Sequence, residues 1–265
     1  MQPEKLLEIV RVLDNHIPVS ETKFSQIIEK MQSLDFSSYD QTDMVNACNL
    51  FFAKHFSENL VIANKMTPPV IGDLMALAAS ELGLSGQFII DPQVAFPDLI
   101  FQFASHFQRP IFAESADEEV LSALSNLAQI YRFDFTPADS KASKLIVSRL
   151  LGIDFAKELD SLIYLSQFQP GQAAIILADN VDLQSGVLPL MLKSHPELEL
   201  LSIIKLPNGL FKHAEMASSL LILRRKVDNE KVVARILLAQ IPELSNKEDF
   251  SKFVSQLKTW KKENL

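Results

Sequence analysis

The chain has 265 residues, 48% of them hydrophobic and 22% charged, with 33 acids against 25 lysines and arginines and a formal net charge of −8. A chain of this size and composition buries a sizeable core, which excludes disorder as its main state. The acidic balance disfavours a dedicated nucleic-acid binder, and neither an apolar run of membrane-spanning length nor a signal-peptide pattern is present, so a cytoplasmic protein with no membrane partner is expected.

Residues 1 to about 60 read as a helical region. Leu6, Leu7, Val10 and Leu13 recur at helical spacing. Pro18 ends that helix, and Ser20 with Lys23 opens a second that runs to about Leu34. A third, from about Asp40 to Phe56, sets Met44, Ala47, Cys48, Phe51 and Phe52 on one face. Cys48 is the single cysteine; it reads as a packed core thiol and excludes an internal disulfide or a Cys-rich metal site. From Asn64 the texture changes. Thr67-Pro68-Pro69 reads as a helix start with Thr67 as N-cap, and that helix is expected to end near Gly83.

A regular alternation follows. Strands are predicted over 87–91, 109–114, 130–135, 143–148 and 172–179, and helices over 97–107, 117–129, about 155–168 and about 184–194. Such alternation implies a parallel sheet with helices on both faces. Strands over 199–206 and 218–225 have no full helix between them and fit an antiparallel pair closing the sheet. A further strand (233–242) and a helix (about 246–263) end the chain. The expected organisation is a helical region (1–60), an α/β domain (61–226), and a strand and helix (227–265) packing on the core.

Chemistry is sparse. The seven glycines include no G-x-G spacing, so the Rossmann fingerprint and the P-loop are both absent. The five histidines, His16, His55, His106, His195 and His213, show no metal-ligand spacing, and no metal is expected. No G-x-S-x-G elbow appears. Asp91 and Glu114 close the first two strands, where ligands of open α/β sheets bind. An acid there either accepts hydrogen bonds from a ribose diol or caps the next helix. The run Arg224-Arg225-Lys226 reads as a solvated strand end rather than a phosphate site.

Three segments, NKMTPPVIG (64–72), FIIDPQVAFPDLI (88–100) and IIKLPNGLFKHAEMASSLLILRRK (203–226), occur in an order that resembles the class I S-adenosylmethionine-dependent methyltransferases. More narrowly, they look like the small bacterial N6-adenine-specific DNA methyltransferases with an N-terminal helical region. The resemblance spans roughly residues 60–242. It implies a Rossmann-like, seven-stranded sheet closed by an antiparallel hairpin, S-adenosylmethionine as cofactor, and DNA as a partner.

The resemblance assigns residues one by one. Thr67 matches the threonine that contacts the methionine end of the cofactor. Asp91 opens the cofactor loop, but Ala95 and Pro97 stand where that loop carries glycines, with Phe96 between them. Alanine resists the close backbone approach and positive φ that glycine allows, and proline removes an N–H. Glu114 matches the ribose-binding acid, Ser115 stands where an apolar residue packs on adenine, and Asp134 lies near the acid that reads the adenine amine. The catalytic motif falls on Arg149, Leu150, Leu151 and Gly152. Arg149 replaces a hydrogen-bond acceptor, and a guanidinium accepts nothing. The expectation is a catalytically inactive binding or regulatory protein, with DNA or a protein as partner. The alternative is an active adenine methyltransferase with atypical motifs.

Overall fold

In a computed structural model the structure describes residues 3–17, 23–135, 142–150, 154–179, 186–210, 218–227, 233 and 235–265. The N-terminal helices are α1 (Pro3–His16), α2 (Phe24–Gln32), α3 (Gln41–His55) and the single turn α4 (Leu60–Ala63). Asp40 caps α3 by accepting from the Thr42 N–H at 2.8 Å. Pro18 and Ser20 lie outside the described residues. Helix α5 (Pro69–Leu82) ends at Gly83, whose φ of +73° is the left-handed cap that glycine takes without strain.

The α/β alternation then runs β1 (Phe88–Asp91), α6 (Leu99–Phe107), β2 (Ile111–Ala113), α7 (Glu118–Tyr131), β3 (Lys144–Arg149), α8 (Phe155–Leu165), β4 (Ala173–Asp179) and α9 (Val187–Ser194). The chain closes with β5 (Leu198–Lys205), β6 (Ser218–Arg225), β7 (Leu237–Gln240) and α10 (Lys247–Asn264). The sheet has seven strands in the order β2-β1-β3-β4-β6-β5-β7. Strands β1 to β4 are parallel, and β6 inserts antiparallel between β4 and β5. This is the seven-stranded sheet closed by an antiparallel pair that the alternation predicts.

Strand periodicity of two feeds two cores. Leu145, Val147, Ile175, Leu177, Leu220 and Ile222 face the larger, which also holds α1–α3, α5–α7 and α10. Ile146, Ala174, Ile176, Leu221 and Leu223 face the smaller, covered by α8 and α9. The acidic N-terminal helices thus share one apolar layer with the helices that cover the sheet.

Three expectations are corrected. The segment 130–135 is not a strand. Tyr131 completes the buried face of α7 with Leu124, Leu127 and Ala128, and Arg132 ends the helix in the left-handed region at φ +61°. What remains of the pairing is one parallel bridge, Ile111 to Phe135. The aromatic alternation suits a strand, but burial of Tyr131 on the helix outweighs it. Thr67 is not the N-cap of α5. Pro68 holds that position, with no side-chain cap, and the Thr67 backbone N–H instead donates to Asp98 Oδ2 at 2.5 Å. The last strand is shorter than 233–242. Its four residues pair parallel with β5 at the sheet edge.

Candidate functional site

Strand β1 is flanked by β2 on one side and β3 on the other, although β2 follows it directly in the chain. The connections therefore diverge at β1 and β3, and a crevice opens at their carboxyl ends. An open cleft of about 900 Å³ lies there, with walls that include Pro92–Ala95, Glu114–Glu118, Glu158 and Arg149. A pocket of about 10 Å³ lies behind it, lined by Thr67, Asp91, Phe96 and Asp98 among others, with room for about one water-sized group.

The loop after β1 is held tightly. The Gln93 N–H donates to Asp91 Oδ1 at 3.1 Å. The Val94 N–H donates to the Glu114 carbonyl at 2.9 Å, and the Glu114 N–H to the Asp91 carbonyl at 3.0 Å. Pro92 and Pro97 have no N–H. Phe96 is buried and turns toward the N-terminal helices, its ring 4.7 Å from Phe24 and 6.2 Å from Phe52. Of the loop's backbone donors, four of six are therefore absent or already used.

Two carboxyls sit at the floor. Asp91 is 3% and Asp98 2% exposed. Ser148, fully buried on β3, donates its hydroxyl to Asp91 Oδ1 at 2.9 Å. Burial pushes the Asp91 carboxyl up to about 7 against the pull of the Gln93 and Ser148 hydrogen bonds, and the nearby Asp98 raises it further. Burial likewise pushes Asp98 up to about 7, opposed by the Thr67 N–H, the Arg149 guanidinium and the Leu99 N–H. Asp98 is also the N-cap of α6.

Arg149 is the last residue of β3. Its Nη1 donates to the Met66 carbonyl at 2.6 Å, and its charge acts on Asp98. Leu150 is buried in the smaller core, and its N–H donates to the Leu177 carbonyl at 3.0 Å, which prolongs the β3–β4 pairing. Leu151 and Gly152 lie outside the described residues.

The structure thus brings Thr67, Asp91, Ala95, Glu114, Ser115 and Arg149 to one crevice. Glu114 is exposed in the cleft, where its carboxylate can accept from a diol. Asp134 is not part of it. Its carbonyl accepts from the Ile111 N–H, at the amino end of β2, whereas the cleft opens at the carboxyl end. Sequence reasoning missed three residues. Asp98 is legible as an N-cap, a short acid before the apolar run LIFQF. Lys65 and Ser148 carry no sequence signal. The basic run at the end of β6 is partnered rather than free: Arg224 Nη2 lies 2.5 Å from Glu199, Arg225 Nη1 donates to the Phe168 carbonyl, and Lys226 Nζ donates to the Pro196 carbonyl.

Among the described residues no group of three or more His, Cys, Asp or Glu could hold a metal ion, and no helix is long and apolar enough to cross a membrane. The sequence matches no protein-family model and no curated protein. The fold is similar to that of solved structures. One, a Listeria monocytogenes protein assigned as a class I S-adenosylmethionine-dependent methyltransferase, has a TM-score of 0.81 at 16% identity, over 98% of this chain and 99% of that one. Another, a modification subunit of a type I restriction enzyme from Vibrio vulnificus, has 0.55 at 14% identity, over 91% of this chain. A type I methyltransferase subunit from Streptococcus thermophilus has 0.54 at 10% identity, over 88%. The chain spans 62% and 61% of the lengths of those two subunits. The chain has the class I methyltransferase fold.

Proposed function

We propose that this protein is a binding protein on the class I methyltransferase fold, which takes an adenosyl ligand of the S-adenosylmethionine type in the cleft and does not methylate adenine. The observation that carries this reading is Arg149. Transfer to an adenine amine needs an acceptor for the amine hydrogens at the end of β3. A guanidinium has five donors and no acceptor, and this one is committed to the Met66 carbonyl and the Asp98 charge. Leu150 beside it is core.

The cleft supports the ligand half of the reading. Its volume falls within the range of small-molecule sites. Glu114 stands where a ribose diol is held, and Asp91 at the adjoining strand end. When bound, S-adenosylmethionine would supply an activated methyl group; the residues present fit its adenosyl end and lack the glycine cradle for its amino-acid end. The likeness to restriction–modification subunits brings DNA and a second subunit forward as partners. The net charge of −8 favours the protein, with the helical region 1–60 as the surface offered.

The test is calorimetry of the purified protein with S-adenosylmethionine and S-adenosylhomocysteine, beside methyl transfer from labelled cofactor to DNA. The expected result is a dissociation constant below about 100 μM, worth roughly 5.5 kcal/mol, with no label in DNA. Robust DNA labelling would overturn the inactivity, and no binding at millimolar ligand would overturn the cleft assignment. One observation favours an active enzyme of other chemistry: two carboxyls near neutrality in the pocket behind the cleft suit proton transfer. Label appearing in a small-molecule acceptor would select that reading.

A further inference from the structure

Acids outnumber bases along the cleft. Glu114, Asp117 and Glu118 line its β2–α7 side, and Glu158 adds a further acid from α8. The two cations, Lys65 and Arg149, also line the inner pocket, together with the buried carboxyls of Asp91 and Asp98. Lys65, Ala95 and Arg149 are the residues common to the outer cleft and the inner pocket, so they flank the neck between the two. Both cations are half-buried. Arg149 is turned toward Met66 and Asp98, while the Lys65 ammonium has no partner among the described residues. A half-desolvated ammonium beside a guanidinium gains most from an anion placed between them.

The loop explains why an anion site would be built from side chains here. A glycine loop holds the polar end of a ligand by backbone N–H groups. In this chain Pro92 and Pro97 supply none, and the N–H groups of Gln93 and Val94 are spent on Asp91 and Glu114. Ala95, whose Cβ keeps a ligand from closing on the backbone, lines both cavities together with the two cations.

We propose that Lys65 and Arg149 form an anion clamp at the neck of the cleft, which holds a carboxylate or phosphate at the end of an adenosyl ligand remote from Glu114. The inference rests on the adenosyl reading of the cleft. It assigns the ligand a polarity: diol toward the acids of β2 and α7, anion toward Lys65 and Arg149. Two sources share this chemistry, the amino-acid carboxylate of S-adenosylhomocysteine and the phosphates of an adenine nucleotide.

The test compares S-adenosylhomocysteine, ADP and 5′-methylthioadenosine by calorimetry on the full chain. The last has the adenosyl end and no anion. The clamp predicts that the better of the two anionic ligands binds at least about tenfold tighter than methylthioadenosine, the scale of one charge-assisted contact. Lys65→Gln should abolish that preference and leave methylthioadenosine unchanged, and Lys65→Arg should keep it. Tighter S-adenosylhomocysteine assigns the clamp to a carboxylate, tighter ADP to a phosphate. Equal binding of all three, or a preference that survives Lys65→Gln, overturns the clamp. Inorganic pyrophosphate separates this failure from that of the cleft reading. If no adenosyl ligand binds, a pyrophosphate-induced shift of the Arg149 Nε–H resonance that Lys65→Gln removes still supports the clamp, and its absence overturns it.

Discussion

Asp91 and Asp98 show what burial does to single residues. Each carboxyl is enclosed and held near 7, so the native chain keeps protons that an unfolded chain releases near pH 4. Where the native state binds more protons, stability falls as pH rises. Their contribution is therefore most favourable below about pH 4, declines through the window from about 4 to 7, and is constant above it. Urea unfolding between about pH 5 and 8 should show the unfolding free energy falling by on the order of a few kcal/mol. Asp91→Asn keeps an acceptor for Gln93 and Ser148 and removes one of the two titrating groups, so it should reduce that dependence by about half and leave the share of Asp98. An unchanged slope in the variant would show that other groups set it.

At the scale of elements, the loop after β1 is a joint as well as a cleft wall. Phe96 packs on Phe24 of α2, and on Phe52 and Phe56 at the end of α3, with ring centroids 4.7, 6.2 and 6.4 Å away. Phe96 thus anchors the N-terminal helices to the loop after β1. Phe96→Ala should destabilise the fold by about 3–5 kcal/mol. A double-mutant cycle with Phe24→Ala should give a coupling of about 1 kcal/mol. Simple additivity would mean that the helices are held by other contacts. The far end of the sheet has its own tie: His195 bonds Asp160 on α8 at 2.8 Å and Glu197 at 3.2 Å. Those carboxylates, Asp160 first, raise its pKa. This contribution is full below the ordinary histidine range and is lost as pH rises through the raised value.

For the whole molecule, charge decides what can be bound. A net charge of −8 repels a duplex, and the basic run at the end of β6 is partnered by Glu199, Phe168 and Pro196. Binding to duplex DNA should be weak, with a shallow salt dependence, below about two released counterions. Titration at two salt concentrations measures this, since each phosphate contact adds about 0.9 to the slope. A slope steeper than about five would show that a local basic surface overrides the net charge.

The sequence determined most of the architecture. Periodicities of two and 3.6 are local, so the α/β alternation, the antiparallel pair at the end and the helical N-terminal region were all legible. The absence of glycine from the loop after Asp91 and the arginine at position 149 were legible for the same reason, since the residue type itself states which hydrogen bonds it can make. Only the tertiary structure decided the rest. Tyr131 belongs to a helix because its burial against Phe101 outweighs the local pattern. Thr67 contributes its N–H because Asp98, 31 residues away, reaches it. Ser148 and Arg149 reach the two buried acids because parallel strands bring distant carboxyl ends to one edge, and Lys65 joins them from the turn between α4 and α5. No local signal encodes such a meeting; it follows from strand order, which the packing of two apolar faces sets.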